Sequence, residues 1–194
     1  MKIDPLTLAG YCWFGIGLFW LAGLAFTKRV ARRMPASARL FQIAVGLLGV
    51  TLMTGRWFDQ GWMAHLFLPD TPGALQFAAW TGLALTFVGC LFACWARITL
   101  GGNWSGEATV KHNHELIVSG PYALTRHPIY TGLLTAAIGT TLIIARWHSV
   151  VGLVVVVLML ILKMSQEERM MTQQFPESYA SYRRRVRALI PGLL

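Results

Sequence analysis

Long apolar runs alternate with short clusters of charge along this chain, and the run lengths suit helices that cross a bilayer. Leu6 to Thr27 carries no charged residue over about 22 positions, enough for a hydrocarbon core of ~30 Å at ~1.5 Å per residue. Lys28, Arg29, Arg32, Arg33 and Arg39 follow at once. Leu40 to Thr54 is a shorter run that predicts a second span, with a re-entrant segment as the alternative. Arg56, Trp57, Asp59 and Trp62 then read as an interface with aromatic anchors. Asp70-Thr71-Pro72-Gly73 is a turn and helix start, and Gly73 to Ala96 is a third span. Pro128 to Ala145 and Val150 to Lys163 predict the last two, joined by a tight turn at Arg146-Trp147-His148. Val154 to Val157 is β-branched, but in lipid the backbone must bond within its own helix, so propensity is overridden.

Two stretches break the pattern. Ile98 to Arg126 is too polar to cross a membrane and too long for a simple turn. Within it, Gly120-Pro121 stops any arriving helix. Arg126-His127-Pro128 sets a second boundary, with His127 pushed toward an extended backbone and Pro128 suited to a first helical turn. After Ser165 the chain turns polar again. QEERMMTQQF is expected to prolong the fifth helix, and Tyr179 to Leu194 reads as a basic interfacial segment.

Composition agrees with the pattern. The chain has 194 residues, 55% hydrophobic and 13% charged, with mean hydropathy +0.53, which marks an integral membrane protein. The net charge of +9 would suggest nucleic acid in a soluble protein; beside apolar spans it suits anionic lipid headgroups instead. Only Lys2, Arg56 and Arg146 of the 17 cations fall on the side expected outside, leaving 14 inside. That asymmetry predicts an N-terminus outside and a C-terminus inside, in a prokaryotic inner or cell membrane. No cleavable leader is expected. The fold class is therefore all-α integral membrane: five transmembrane helices, a cytoplasmic connector and a C-terminal cytoplasmic helix. One domain is expected, residues 1–97 forming a three-span N-terminal part and 98–194 the remainder.

Candidate chemistry gathers at the inner span ends. Lys163 and Glu167 lie four residues apart, with Glu168 adjacent. As a pair they are either a snorkelling lysine with a surface ion pair or a site facing the bundle. In the second case Glu167 could hold a ligand ammonium and Lys163 an anionic substrate group. Arg126 is either a headgroup anchor or a partner for a ligand carboxylate. Tyr122 and Tyr130 are interface aromatics or borders for a planar base. His112, His114, His127 and Glu115 lack a recognised metal spacing, so no metal is assigned. Cys12, Cys90 and Cys94 lie in apolar runs and read as packed thiols. His65 and His148 are given no role. No dinucleotide fingerprint, phosphate loop or nucleophile elbow is present.

Taken together, LGGNWSG, HELIVSGPYALTRHPIYTG and EERMMTQQFPESYASYRRRVRALIP resemble the isoprenylcysteine carboxyl methyltransferase family, a group of integral-membrane methyltransferases related to phospholipid methyltransferases. The resemblance spans roughly Leu100 to Pro191 and implies a cytoplasmic cofactor-binding connector, with 98–194 the cofactor-binding catalytic part of a single membrane methyltransferase domain. It implies an S-adenosylmethionine site at the cytoplasmic boundary, contacted by His114, Glu115, Leu116, Ile117, Gly120, Tyr122, His127, Pro128, Ile129, Tyr130 and Glu167. The family has an arginine implicated in the methyl acceptor where this chain has Lys163, and the two are not equivalent at a bidentate carboxylate. Ile117, Pro121 and Pro176 are milder departures. Arg126, Lys163 and Glu168 are the catalytic candidates, with Glu168 a weak base for an amine acceptor. The implied reaction is methyl transfer to an amphiphilic or small acceptor: an isoprenylcysteine-type carboxylate, a thiol or a lipid amine. The bilayer and that acceptor are the expected partners, with no nucleic acid and no obligate protein partner. A sterol-type reductase using NADPH and a non-catalytic bundle are the rival readings.

Overall fold

The computed structural model describes residues 4–26, 30–32, 36–104, 110–111 and 116–189. Six α-helices make up most of it: α1 (Pro5–Leu24), α2 (Ala36–Thr54), α3 (Pro72–Leu100), α4 (Pro128–Ile144), α5 (Trp147–Gln174) and α6 (Pro176–Arg185). Beside four short 3-10 turns, the described residues also contain an antiparallel ribbon of β1 (Val30–Arg32) with β2 (Val110–Lys111), which links the α1–α2 connection to the long polar connector. An all-helical pattern did not foresee it.

Local chemistry explains the helix ends. Asp4 caps α1 by accepting from the N–H groups of Leu6 and Thr7 at 3.4 and 3.2 Å. The Thr71 hydroxyl accepts from Ala74 N–H at 3.3 Å, and proline follows each cap at the first helical turn, where no N–H is missed. The second run forms a full helix of 19 residues, and α5 continues for 28 residues through the polar QEERMMTQQ stretch, as expected. Four helices, α1, α2, α3 and α5, are long and apolar enough to cross a bilayer; α4 is apolar but has 17 residues.

Small residues set the packing. A Cβ on Gly132 would meet Gly89 O at 2.6 Å and Ala93 N at 2.7 Å, while Gly139 lies directly against Gly82 and Thr86. These pairings run α4 antiparallel to α3 with backbones nearly touching, the close approach that drives helix association in lipid. The Thr86 hydroxyl bonds Gly82 O at 2.9 Å and Ala136 O at 3.2 Å, so its polarity is spent inside the seam. The pair α2 and α5 is built likewise: Gly49 faces Val156, and Gly152 faces Met53. Helix α1 runs parallel to α3, placing Ile16 beside Cys90 and Ala93, and Trp13 Nε1 donates to Thr140 at 2.9 Å. The three cysteines are free thiols within this packing.

Arg97 ties the shared end of α1 and α3. It is 4% exposed, donates to Gly23 O at 2.8 Å and Gly101 O at 2.9 Å, and lies 4.4 Å over the Trp104 ring. Its charge thus sits between the negative carbonyl ends of two helices. At the opposite end, His148 proves structural: its side chain is buried, Nδ1 lies 2.9 Å from Leu52 O and Nε2 lies 3.3 Å from Asp59. Asp59 also pairs with Arg146 at 3.3 Å, fixing the turn into α5.

Replacing Gly132 with alanine forces the α3–α4 backbones apart and should lower stability by about 1–3 kcal/mol, the range for overpacking. Gly10 has nothing within 4 Å of an added Cβ, so Gly10→Ala should be near neutral. Apparent melting temperatures in one detergent test the contrast; equal shifts would reject this packing.

Candidate active site

From Leu116 the polar connector leads to a turn at Gly120, whose φ of +59° a side chain would resist. A 3-10 turn, Gly120–Ala123, buries Pro121 and Tyr122. Tyr122 O accepts from the Tyr182 hydroxyl at 2.6 Å. Burial, reinforced by the charge of Glu167, pushes the Tyr122 phenol far above its ordinary range, so it stays a neutral donor. His127 then ends the connector at φ −123° and ψ 59°, and Pro128 opens α4. The predicted boundary is correct, though ψ is smaller than for a fully extended residue.

This boundary aims two consecutive side chains at two consecutive carboxylates of α5. His127 Nδ1 lies 3.6 Å from Glu167 Oε2, and its Nε2 lies 3.3 Å from Glu168 Oε1. Arg126 donates to Glu168 Oε1 through Nε at 2.9 Å and Nη2 at 2.7 Å. One helical turn into α4, Tyr130 stacks on the His127 ring, with centroids 5.6 Å apart and planes 13° from parallel, and donates its hydroxyl to Glu167. The Lys163 ammonium, one turn before Glu167, sits 5.6 Å from the Tyr130 centroid, within reach of its π face.

Of the residues expected at the site, Arg126, His127, Pro128, Tyr130, Lys163, Glu167 and Glu168 converge. Ile129 packs with the Tyr130, Leu160 and Met164 cluster behind them. Tyr122 and Gly120 form the adjoining turn, and Leu116 and Ile117 are half-buried in the strand of chain leading to it. His114 and Glu115 lie outside the described residues, as does His112. Glu177 is exposed in the first turn of α6. Two groups of participants were not foreseen. Tyr179 and Tyr182 are buried on α6, and their three-residue spacing on one helix face was the available signal. The others are main-chain carbonyls of Val186, Arg187, Ala188 and Leu189, which carry no sequence signal.

Against this geometry, residues 82–173 match the isoprenylcysteine carboxyl methyltransferase (ICMT) family, a stretch that contains the whole convergent cluster. Over that stretch, somewhat under half of its length, the chain is similar to that family. Among relatives, a probable protein-S-isoprenylcysteine O-methyltransferase of Oryza sativa subsp. indica is 29% identical over 118 residues, covering 59% of this chain and 62% of the rice protein. The cobalt-zinc-cadmium resistance protein CzcN of Cupriavidus metallidurans is 29% identical over 165 residues, covering 79% of this chain and 63% of CzcN. The chain thus spans somewhat under two thirds of the length of these relatives. The solved eukaryotic intramembrane Ras methyltransferase ICMT superposes with a TM-score of 0.54 at 21% identity, covering 82% of this chain and 55% of that one. That likeness establishes a shared ICMT fold.

His127 is subject to opposed effects. Burial pulls its pKa down, but the hydrogen bonds and charges of Glu167 and Glu168 outweigh burial and leave it raised. A raised folded pKa adds stability that is complete below the unfolded value of about 6.5 and is lost as pH climbs through the folded value. The apparent melting temperature should therefore fall as pH rises from about 6. His127→Gln should flatten that slope, and a profile unchanged by the substitution would refute the assignment.

Proposed function

We propose that this chain is an S-adenosylmethionine-dependent membrane methyltransferase with its reaction centre at the α4–α5 end, facing the cytoplasm. On this reading α4 is the fourth of five crossings, the N-terminus lies outside, and α6 lies on the cytoplasmic surface. The observation that carries it is the convergence of His127, Tyr130, Lys163 and Glu167, drawn from the middle and the C-terminal part of the family match.

The residues present suit the donor's chemistry. S-adenosylmethionine carries an ammonium, a carboxylate, a sulfonium and an adenine. The Glu167 side chain is 24% exposed although Tyr130 and His127 flank it; that leaves acceptor capacity open for an ammonium. His127, whose ring nitrogens face Glu167 and Glu168 and whose pKa those carboxylates raise, is assigned to the wall that the donor's carboxylate would approach. Tyr122, Leu116 and Ile117 offer an aromatic and two aliphatic faces for the base, with Gly120, Pro128 and Ile129 completing the wall. His114 and Glu115 are assigned to the same role from the resemblance.

The donor's methyl group is activated by its sulfonium, so this chain needs no nucleophile of its own. Its residues have to bind, orient and exclude water, and orientation alone can supply ~7–11 kcal/mol of barrier reduction. Lys163 is placed to hold an anionic group of the acceptor beside Tyr130. Glu168, a base candidate from the sequence, has Oε1 bonded by Arg126 and Oε2 3.5 Å from Arg183, and is thereby held as a charge partner. The acceptor class is an amphiphile or small molecule bearing a carboxylate, thiol or amine, consistent with relatives named both as isoprenylcysteine methyltransferases and as a metal-resistance protein.

Titration of S-adenosylhomocysteine into the protein in nanodiscs tests the reading. Glu167→Ala should weaken binding about 10- to 100-fold, the worth of one charged hydrogen bond, whereas Glu177→Ala should do little. No heat and no thermal protection in the wild type, or equal effects at the two glutamates, would overturn it. Radiolabelled donor with membrane extract would then show whether label enters lipid, protein or a volatile fraction.

A further inference from the structure

Among the clustered charges, Arg126 and Glu168 are engaged by α6 and the segment that follows it. After α6 the backbone turns back along the start of α4. Arg126 N–H donates to Arg187 O at 2.8 Å, His127 N–H donates to Ala188 O at 3.0 Å, and the Thr131 hydroxyl donates to Leu189 O at 2.8 Å. Thr125 and Arg187 form a parallel bridge. The N–H groups at the mouth of a helix have no partner within it, and here the tail's carbonyls satisfy two that immediately precede Pro128. Leu189 then packs into the Tyr130, Leu160 and Met164 cluster, behind the ring that carries Glu167.

The Arg126 guanidinium locks this arrangement. One edge holds Glu168 on α5, while Nη1 donates to Val186 O at 2.5 Å and to Arg183 O at 3.4 Å. Arg183 in turn reaches Glu168 Oε2 at 3.5 Å. Arg126 has 10% of its side chain exposed, and each of its three guanidinium nitrogens donates to protein. We propose that Arg126 is a positioning residue rather than a ligand contact: it clasps the segment Val186–Leu189 to α5 and thereby holds His127 and Tyr130 in their donor-binding orientation. This rests on the proposed donor site. A lysine is a point charge and cannot bond a carboxylate and a carbonyl in one plane.

The test uses the full chain in nanodiscs with Arg126→Lys, Arg126→Ala, Glu168→Gln and, as a control, the exposed Arg169→Ala. Two quantities are read: the rate of tryptic cleavage at Arg183, Arg184, Arg185 and Arg187, and the Kd for S-adenosylhomocysteine. Both Arg126 variants and Glu168→Gln should speed tail cleavage and raise the Kd about 10-fold or more, with Arg169→Ala unchanged. Donor KM should rise while kcat at saturating donor holds, as expected for lost uniform binding. Saturating product should slow cleavage again in each variant, which excludes a chain that has merely failed to fold. Wild-type affinity in Arg126→Ala, or full rescue by Arg126→Lys, overturns the clasp and leaves the donor site standing. A wild type that binds no product sinks the donor site, and the coupling proposed here falls with it, whatever the cleavage rates.

Discussion

A proline-led helix start places Arg126 and His127 against Glu167 and Glu168, and the functional end of the molecule depends on that four-way charge contact. Ionised groups withdrawn from water at a membrane boundary are costly, and such a pair is a weak source of stability. It is tolerable here because each charge is answered more than once. Glu168 receives Arg126, His127 and Arg183, while Glu167 receives the Tyr130 hydroxyl and faces His127. Removing one partner strands the other in a confined place, which makes the geometry unforgiving and hence well defined.

The apolar part of the fold explains why this contact lies where it does. Two helix pairs are packed backbone to backbone through glycine, α3 with α4 and α2 with α5. Between α4 and α5, contact is made through side chains instead: Tyr130, Leu160 and Met164 with Leu134, Val156 and Met159. The site therefore sits at the end of the seam between two rigid pairs. A seam built of side chains can open around a ligand at less cost than one in which carbonyls already touch. The charged contact and the returning tail close that end of the seam.

Much of this was legible in the order of residues. Uninterrupted apolar runs gave the helices, because lipid leaves the backbone no other way to bond. The Gly120-Pro121 and His127-Pro128 breaks located the turn and the start of α4, since proline restricts its neighbour wherever it occurs. That His127 and Glu167 lie on one side followed from the family resemblance and from the antiparallel hairpin; their direct contact did not. What stayed hidden is equally specific. The tail contributes main-chain carbonyls, and any sequence has those. His148 is buried by its contacts with Leu52 and Asp59, some 96 and 89 positions away, and no local pattern reports such distances. The β1–β2 ribbon joins two short polar stretches with no alternating pattern to announce them.

The lysine at position 163 bears on selectivity once these parts are combined. An arginine at such a point would present a planar fork suited to gripping a carboxylate by both oxygens. Lys163 presents one compact charge, drawn toward the Tyr130 ring and anchored one turn from Glu167. The neighbouring fork, Arg126, is spent on Glu168 and the tail and is not free to compensate. On the proposed reading, then, the site imposes little angular demand on the acceptor's polar group. Discrimination has to come from how deeply an acceptor can reach along the α4–α5 seam toward Tyr130. A chain with this arrangement would accept anionic groups of different shapes, provided that their apolar remainder fits between the helices.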